Sequence, residues 1–421
     1  MGEIVSISIG SYDFISYKNT FGDLLTIYSP EDRQIKTVID EDGDEYIQYL
    51  YVTTVERAKI ALDCLGYTVK LARKSFEKSK QEEIDFREGL DFDNDRSLNE
   101  INEIKNNYLF EQWCKTVQKF SLMLSKDRYS YSTHKYKWLE SQRKRKSLSF
   151  TEKMILDSLP FNDNGHFFGV YYECSSIWEI FRVILDAFDP NEEIVLDYTN
   201  LFNGGWCNEY PEDEDFCVSK TIILTEGSYD ADVISRSMQL LYPFMIKNFS
   251  FIDFSGANVQ GSANFLTHYV KAFIGAGIQN RVIALYDNDA AGCCEIETLK
   301  NIKLPPNFKI MHLPNISLAE NYPTIGPTKD EPLNINGKAC SIELFLGKDI
   351  LQKDGELTPV MWKGYMDKIG VYQGEVLYKG ELHKKFEKKL NKAIMHGVRN
   401  YQDWYEMDIL LKSLFKTFLD N

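Results

Sequence analysis

The stretch Thr221-Ile-Ile-Leu-Thr-Glu-Gly-Ser-Tyr-Asp230 passes abruptly from apolar residues to acidic and turn-forming ones. A short apolar run closed by a glycine indicates a buried strand that ends in a tight turn. A helix is expected to follow, from about Ser228 to Leu241. The carboxylates of Glu226 and Asp230 would then lie just beyond the strand, where the chain reaches water.

The same alternation of strand and helix continues along the chain. Strands are predicted over residues 249–253 and 281–286, with a helix near residues 261–274 between them. This spacing is typical of a parallel sheet covered by helices. We therefore expect an α/β, Rossmann-like fold with helices on both faces of the sheet.

The strand over residues 281–286 leads directly into Asp287-Asn-Asp289-Ala-Ala-Gly292. Asp287 and Asp289 alternate with Asn288 and so project in similar directions, while Gly292 permits close packing of the next helix. Because parallel strands end at one edge of a sheet, these carboxylates and those of the first stretch are expected to form one cluster. Carboxylates gathered in this way can bind Mg²⁺.

A third acidic segment, Ser341-Ile-Glu343, precedes the apolar residues 344–346. A purely structural role stays open for two of these acidic segments. Asp287-Asn-Asp289 alone could be a helix-capping turn, and Glu343 could simply complete the N-terminal turn of a helix.

Composition limits the class of protein. A chain of 421 residues that is 43% hydrophobic and 14% aromatic can bury two or three cores. No apolar run suits a membrane span or a signal peptide. The eight cysteines are scattered without a zinc-type pair, which favours reduced thiols and a cytoplasmic protein.

The net charge of −15 is unfavourable for binding phosphate, so local basic segments matter more. Residues 379–399 contain seven basic and two acidic side chains, and residues 135–146 contain six and one. Either segment could follow a nucleic-acid backbone, or be an ordinary solvated helix face. The candidates in the first segment are Lys384, Lys385, Lys388, Lys389 and Lys392.

Three domains are expected: a mainly helical one over residues 1–218 with short initial strands, an α/β one over 219–350, and an extension over 351–421 with a strand and basic helices. In the first domain, period-two alternation predicts strands at residues 4–9 and 46–52. Further elements are predicted as helices over residues 53–80, 97–122 and 175–188 and a strand over residues 193–197.

A strand-Glu-Gly element followed about sixty residues later by strand-Asp-x-Asp-x-x-Gly resembles the Toprim domain. This domain is shared by topoisomerases, bacterial primases, recombination proteins and nucleases of the OLD (overcoming lysogenization defect) family. With Ser341 and Glu343 added, the pattern is most similar to the OLD-like nucleases.

That resemblance implies two divalent ions, Mg²⁺ or Mn²⁺, around one phosphate. Glu226 would be a metal ligand and possible proton shuttle, and Asp287 would bridge the ions. The resemblance also implies a lysine that neutralises the transition state. A strand within residues 362–379 would bring Lys379 to the site, and Lys363 and Lys338 compete for the role.

The chain lacks the Gly-x4-Gly-Lys-Ser/Thr loop of full OLD proteins, so an ATPase of that type would have to come from a partner in trans. The resemblance then implies an effector nuclease in defence against phage.

The first half resembles the helical unit of HEPN/Toprim-associated bacterial proteins in its pair of predicted helices and in residues 10–19, 195–201 and 204–206. HEPN ribonucleases carry Arg-x4-6-His, and Arg128 and His134 fit that spacing. In such enzymes the histidine helps to move the 2′-hydroxyl proton and the arginine holds the phosphate. The alternative is a structural or dimerising helical domain, and a homodimer is expected.

Two classes of function stay open. The first is a Mg²⁺-dependent nuclease that cuts DNA or, as the next choice, RNA such as tRNA. The second is a noncatalytic module that binds nucleic acid or a partner ATPase.

Overall fold

The computed structural model describes most of the chain, in two compact units, residues 1–217 and 218–420. The described residues are 3–39, 43–89, 95–126, 140–158, 176–209, 220–252, 261–326, 330–396 and 402–419. Over these ranges, no helix is both long and apolar enough to cross a membrane.

The first unit contains an antiparallel sheet that the sequence did not predict as a whole. Its strands are β1 (Ile4–Ile9), β2 (Tyr12–Lys18), β3 (Arg33–Ile39), β4 (Glu45–Thr54) and β5 (Glu193–Asp197). They lie in the order β2-β1-β5-β4-β3, so the strand that comes last in the chain is central. Ile194 and Leu196 of β5 are fully buried and join the core formed with the helices.

The helices of this unit are shorter than the sequence predicts. They are α1 (Val55–Leu65), α2 (Val69–Gly89), α3 (Asp95–Asn107), α4 (Phe110–Ser125), α5 (Phe150–Ser158), α6 (Ile177–Ile184) and α7 (Thr199–Asn203). Thr54 caps α1 by accepting from the backbone N of Arg57 at 3.3 Å. The prediction of one continuous helix over residues 53–80 is wrong. Gly66 adopts a φ of 94° and ends α1, so the region forms two helices, α1 and α2. The predicted helix over 97–122 is likewise divided, at the extended Leu109.

The second unit is built on a parallel sheet, which confirms the α/β prediction. Its strands β6 (Thr221–Thr225), β7 (Phe249–Phe251), β8 (Val282–Tyr286) and β10 (Phe308–His312) lie in the order β10-β8-β6-β7. The helices are α8 (Ser228–Leu241), α9 (Pro243–Ile246), α10 (Ala263–Gly275), α11 (Ala290–Leu299), α12 (Lys348–Leu351), α13 (Lys379–His396) and α14 (Tyr405–Lys416).

The alternation of side chains along β8 explains how helices cover this sheet. Val282, Ala284 and Tyr286 are buried in one core with residues of α10 and α11, such as Leu266 and Leu299. The intervening residues of β8 are also buried, and α8 packs on the strand that it follows. Burial along the whole strand is typical of a parallel sheet.

Short strands attach the third acidic segment to the sheet edge. β9 (Asn288–Asp289) pairs antiparallel with β12 (Ala339–Cys340), which places Ser341 next to the aspartates. The remaining strands are β11 (Thr324–Ile325), β13 (Gln352–Lys353), β14 (Glu356–Leu357), β15 (Val360–Met366) and β16 (Val371–Val376). β15 and β16 form a hairpin that leads into α13.

Candidate metal centre

Glu226 and Asp287 meet because their strands are parallel neighbours. Thr225 and Leu285 are in register, so each strand delivers its acidic residue to the same edge of the sheet. The backbone N of Asp287 donates to Oε1 of Glu226 at 2.9 Å. This hydrogen bond fixes the two turns against each other.

Asp230 and Asp289 each hold the first turn of a helix. Oδ2 of Asp230 accepts from the backbone N of Gly227 at 3.0 Å, at the start of α8. Oδ1 of Asp289 accepts from the backbone N of Gly292 at 2.7 Å, at the start of α11. The predicted capping role therefore applies to Asp289. Its other oxygen lies 3.4 Å from Nε2 of Gln373, in the β15–β16 hairpin.

Two glycines allow this close approach of backbones. A Cβ at Gly292 would lie 2.2 Å from the carbonyl oxygen of Asp287, and a Cβ at Gly261 would lie 2.2 Å from the carbonyl oxygen of Glu226. Real Cβ contacts are essentially never shorter than 3.0 Å. The helices α10 and α11 can thus begin against the two acidic turns only because these positions lack a side chain.

Glu343 lies in a buried 3-10 turn, Ile342–Phe345, and is surrounded by donors. Its Oε2 accepts from the hydroxyl of Ser341 and lies 3.3 Å from Nζ of Lys379. Its Oε1 lies 3.0 Å from Nε2 of His383. The carboxylate therefore makes specific polar contacts rather than only completing a helical turn.

Lys379 is the predicted lysine that reaches the cluster. It begins α13 instead of ending a strand, and the preceding Tyr378 has a φ of 56°, an uncommon value for a tyrosine. Lys363 instead pairs with Glu375 at 3.4 Å and is 54% exposed. Lys338 contributes its backbone, which bridges to Asp289.

The electrostatics divide the carboxylates into two groups. Burial, reinforced by neighbouring carboxylates, raises the pKa of Glu226 to about 8 and that of Asp230 to about 7. The same causes raise the pKa of Asp287 well above its usual value, and burial raises the pKa of Asp289. If all four were ionised together, their negative charge would exceed what the surrounding groups compensate, so the neutral forms are favoured in the absence of a cation.

Glu343 behaves in the opposite way. Burial opposes its ionisation, but the hydrogen bond from His383, the charge of Lys379 and the Ser341 hydroxyl outweigh burial and lower its pKa to about 2. Burial likewise disfavours charged Lys379, yet Glu343 and Asp287 raise its pKa. Glu343 and Lys379 therefore form a compensated pair beside the uncompensated carboxylates.

The side chains do not form a closed coordination sphere. Within the described ranges, no three His, Cys, Asp or Glu side chains converge as a ready-made metal site. Asp230 and Asp289 each use an oxygen to bind a helix N-terminus, and Glu343 is ion-paired. The donors are nevertheless half-buried carboxyl oxygens of Glu226, Asp230, Asp287 and Asp289, whose ionised forms a bound cation would stabilise, and such donors are compatible with Mg²⁺ or Mn²⁺.

Helix α13 exposes only part of the predicted basic face. Lys384, Lys388 and Lys392 are exposed at a spacing of four residues and so share one face. Lys385 is half-buried, with Nζ 3.3 Å from the carbonyl oxygen of Gln352. The remaining member, Lys389, is 5% exposed, so its assignment to nucleic-acid binding is wrong.

Lys389 connects three parts of the chain instead. Its Nζ donates to the carbonyl oxygens of Leu346 and Asp403 and to Oδ1 of Asp349, and it lies 4.3 Å from the ring centroid of Trp404. These contacts neutralise the charge of Lys389 and satisfy its donors, so the side chain can be buried without a large energetic cost.

We expect Lys389→Met to lower the free energy of unfolding by about 2–4 kcal/mol, because it leaves buried oxygens unsatisfied. Lys388→Met, on the exposed face of the same helix, should change it by less than about 0.5 kcal/mol. Urea unfolding of both variants checks this. Equal stability of the two variants would contradict the structural role of Lys389.

Arg128 and His134, the candidate ribonuclease pair, lie outside the described residues. The structure adds residues that the sequence did not single out, namely His383, Tyr229, Gln373 and Gly261. His383 had one available signal, since it follows Lys379 by four residues and so lies on the same helix face. Gln373 and Tyr229 had none, because their contacts depend on the tertiary fold.

Comparison with known proteins gives one match. Residues 1–221 match the family described as HEPN/Toprim N-terminal domain 1. No curated protein and no solved structure matches the chain. The matched region contains all five strands of the first sheet and ends at the first residue of β6.

Proposed function

The chain belongs to the HEPN/Toprim N-terminal domain 1 family, and from that premise we propose that its second unit is a metal-dependent nuclease. Membership indicates a nuclease-related function. The finer assignment, hydrolysis of phosphodiester bonds at a Toprim-like carboxylate site, is supported by the second unit itself.

One observation carries the proposal. Four half-buried carboxylates with raised pKa values, Glu226, Asp230, Asp287 and Asp289, lie at the carboxyl edge of a parallel sheet, beside the Glu343–Lys379 pair. Burying like charges without compensation destabilises a fold, and such arrangements are concentrated at functional sites. A structural role would be served better by neutral side chains.

Each residue has a part in the proposed chemistry. Glu226, Asp287 and Asp289 would hold one divalent ion, and Asp230, Ser341 and Glu343 are the candidates for a second. Bound Mg²⁺ or Mn²⁺ would supply Lewis-acid activation of the attacking water and of the phosphate. Lys379 would bind a non-bridging phosphate oxygen and offset the charge that develops there.

Nucleic acid would approach along the exposed Lys384, Lys388 and Lys392. We propose DNA as the first substrate class and RNA as the second, and a role as an effector in bacterial anti-phage defence. A partner ATPase and a homodimer belong to the same proposal, on the strength of the resemblance to OLD-like and HEPN/Toprim-associated proteins.

The experiment is cleavage of plasmid DNA and total RNA in parallel, with Mg²⁺, Mn²⁺ or EDTA. Wild type is compared with Glu226→Gln, His134→Ala and the control Glu297→Gln, an exposed residue that pairs with Lys300. The proposal predicts metal-dependent cutting that only Glu226→Gln loses. RNA cutting that persists in EDTA and disappears in His134→Ala would place the chemistry in the first unit, and no cutting at all would favour a binding module.

Metal should also change the pH dependence of stability. The pKa of Glu226 rises from 4.5 to about 8 on folding, so between these values the folded protein binds more protons than the unfolded chain. Stability in EDTA therefore falls as the pH rises through that window, and a bound cation opposes the fall.

We expect the melting temperature of wild type in EDTA, relative to that of Glu226→Gln, to decrease from pH 5 to pH 8. Added Mn²⁺ should stabilise wild type most at pH 8. Thermal melts across that range measure both effects. A difference in melting temperature between wild type and Glu226→Gln that does not vary with pH would be inconsistent with the raised pKa of Glu226.

A further inference from the structure

A ring stack links the two helices that carry the acidic turn and the lysine. Tyr229 is the second residue of α8 and lies between Glu226 and Asp230 in the chain. His383 is one turn beyond Lys379 in α13. The two ring centroids are 3.6 Å apart, and the ring planes are inclined by only 16°.

The stacked histidine also contacts the third acidic element. Nε2 of His383 lies 3.0 Å from Oε1 of Glu343. The opposite oxygen of Glu343 faces Nζ of Lys379 at 3.3 Å, which favours the ionised carboxylate. Because a carboxylate only accepts hydrogen bonds, Nε2 must carry the hydrogen and donate it.

We propose that His383, braced by Tyr229, is a positioning residue that fixes the Glu343 carboxylate so that its second oxygen holds Lys379 toward the substrate phosphate. This inference rests on the proposed nuclease function. The stack and the hydrogen bond together set the relative positions of α8, α13 and the 3-10 turn, and thus of three elements that are far apart in sequence.

The surroundings of the Tyr229 hydroxyl indicate whether this side chain supports His383 by packing or takes part in the reaction. It is inaccessible to solvent and has no hydrogen-bond partner among the described residues. The ring face therefore makes the contact that matters, and a phenylalanine should preserve it. Removal of a side chain that orients a ligand or a charged group in this way typically lowers activity by about 10–100-fold.

The test compares kcat and KM for cleavage among five variants. We expect His383→Ala to lower kcat about 10–100-fold with KM changed less than about threefold, because orientation rather than binding is lost. His383→Gln, whose amide can donate to Glu343, should recover part of that loss. Tyr229→Leu should resemble His383→Ala, whereas Tyr229→Phe should keep most of the wild-type kcat. The control is His268→Gln, an exposed histidine on α10 that bonds only to the carbonyl of Asn264 among the described contacts.

Three kinetic results would overturn the inference. One is a kcat for His383→Ala within twofold of wild type. A second is an equal loss in Tyr229→Phe and Tyr229→Leu, which would give the role to the hydroxyl. A rise in KM with unchanged kcat in His383→Ala would also contradict positioning and indicate substrate binding.

A spectroscopic measurement separates this inference from the nuclease proposal. In protein labelled with ¹⁵N-histidine, the His383 ring signal, assigned with His383→Gln, should show protonated Nε2 and should shift in Glu343→Gln. No shift would refute the contact whether or not the protein cuts nucleic acid. If wild type does not cut but the signal shifts, the nuclease proposal fails while the arrangement of the side chains stands.

Discussion

Glu226→Gln is expected to abolish metal-dependent cleavage while making the protein more stable. The glutamine carbonyl can still accept from the backbone N of Asp287, so the turn should keep its geometry. Loss of the charged ligand should lower kcat on the order of a thousandfold or more. Because burial and nearby carboxylates disfavour the ionised form, removing the ionisable group should raise the melting temperature in EDTA at pH 8, where the unfolded chain is ionised.

The opposite directions of the two effects make this prediction specific. A residue that only supports the fold would lose activity and stability together. The variant Asp287→Asn should behave like Glu226→Gln, since the pKa of Asp287 is raised by burial and by the same neighbours. Glu297→Gln, at an exposed ion pair, should change neither quantity. Destabilised Glu226→Gln protein, or wild-type cleavage by it, would refute the assignment.

Gly292→Ala is expected to disrupt the site through the backbone. The added Cβ would lie 2.2 Å from the carbonyl oxygen of Asp287, so α11 or the acidic turn must move. We expect the free energy of unfolding to fall by about 2–4 kcal/mol. Cleavage should decrease more than tenfold, because displaced catalytic groups lose their orientation.

Gly261→Ala should have a similar effect, since its Cβ would approach the carbonyl of Glu226 equally closely. Gly380→Ala is the matched control, because that glycine lies in α13 with nothing within 4 Å of an added Cβ. It should be neutral or slightly stabilising. Urea unfolding and cleavage assays measure both properties. Wild-type stability and activity of Gly292→Ala would show that the close approach is not needed.

The parts of the fold that sequence could predict are those set by local pattern. The apolar runs ending in Glu226 and Asp287 indicated parallel strands, and parallel strands end at a common edge, so the acidic turns were expected to meet. The first sheet could not be predicted as a unit. Its central strand, Glu193–Asp197, pairs with strands from the first fifty-four residues, and no local signal identifies such distant partners.

The site shows the same limit. Helical periodicity places Lys384, Lys388 and Lys392 on one face, but it does not say which other face is buried, so Lys389 was assigned incorrectly. The division at Gly66 had a local signal in the glycine itself. His383 acquires its role from contacts with Tyr229 and Glu343, which only the tertiary structure brings together.

The most direct test of the proposed metal site is a titration of the metal-free protein with Mn²⁺. The electron paramagnetic resonance signal of the unbound ion measures how much Mn²⁺ is bound. Wild type and Glu297→Gln should bind with a dissociation constant below about 1 mM, and Asp287→Asn should bind at least about tenfold more weakly. Absence of binding to wild type, or equal affinity in Asp287→Asn, would contradict a divalent metal site at these carboxylates.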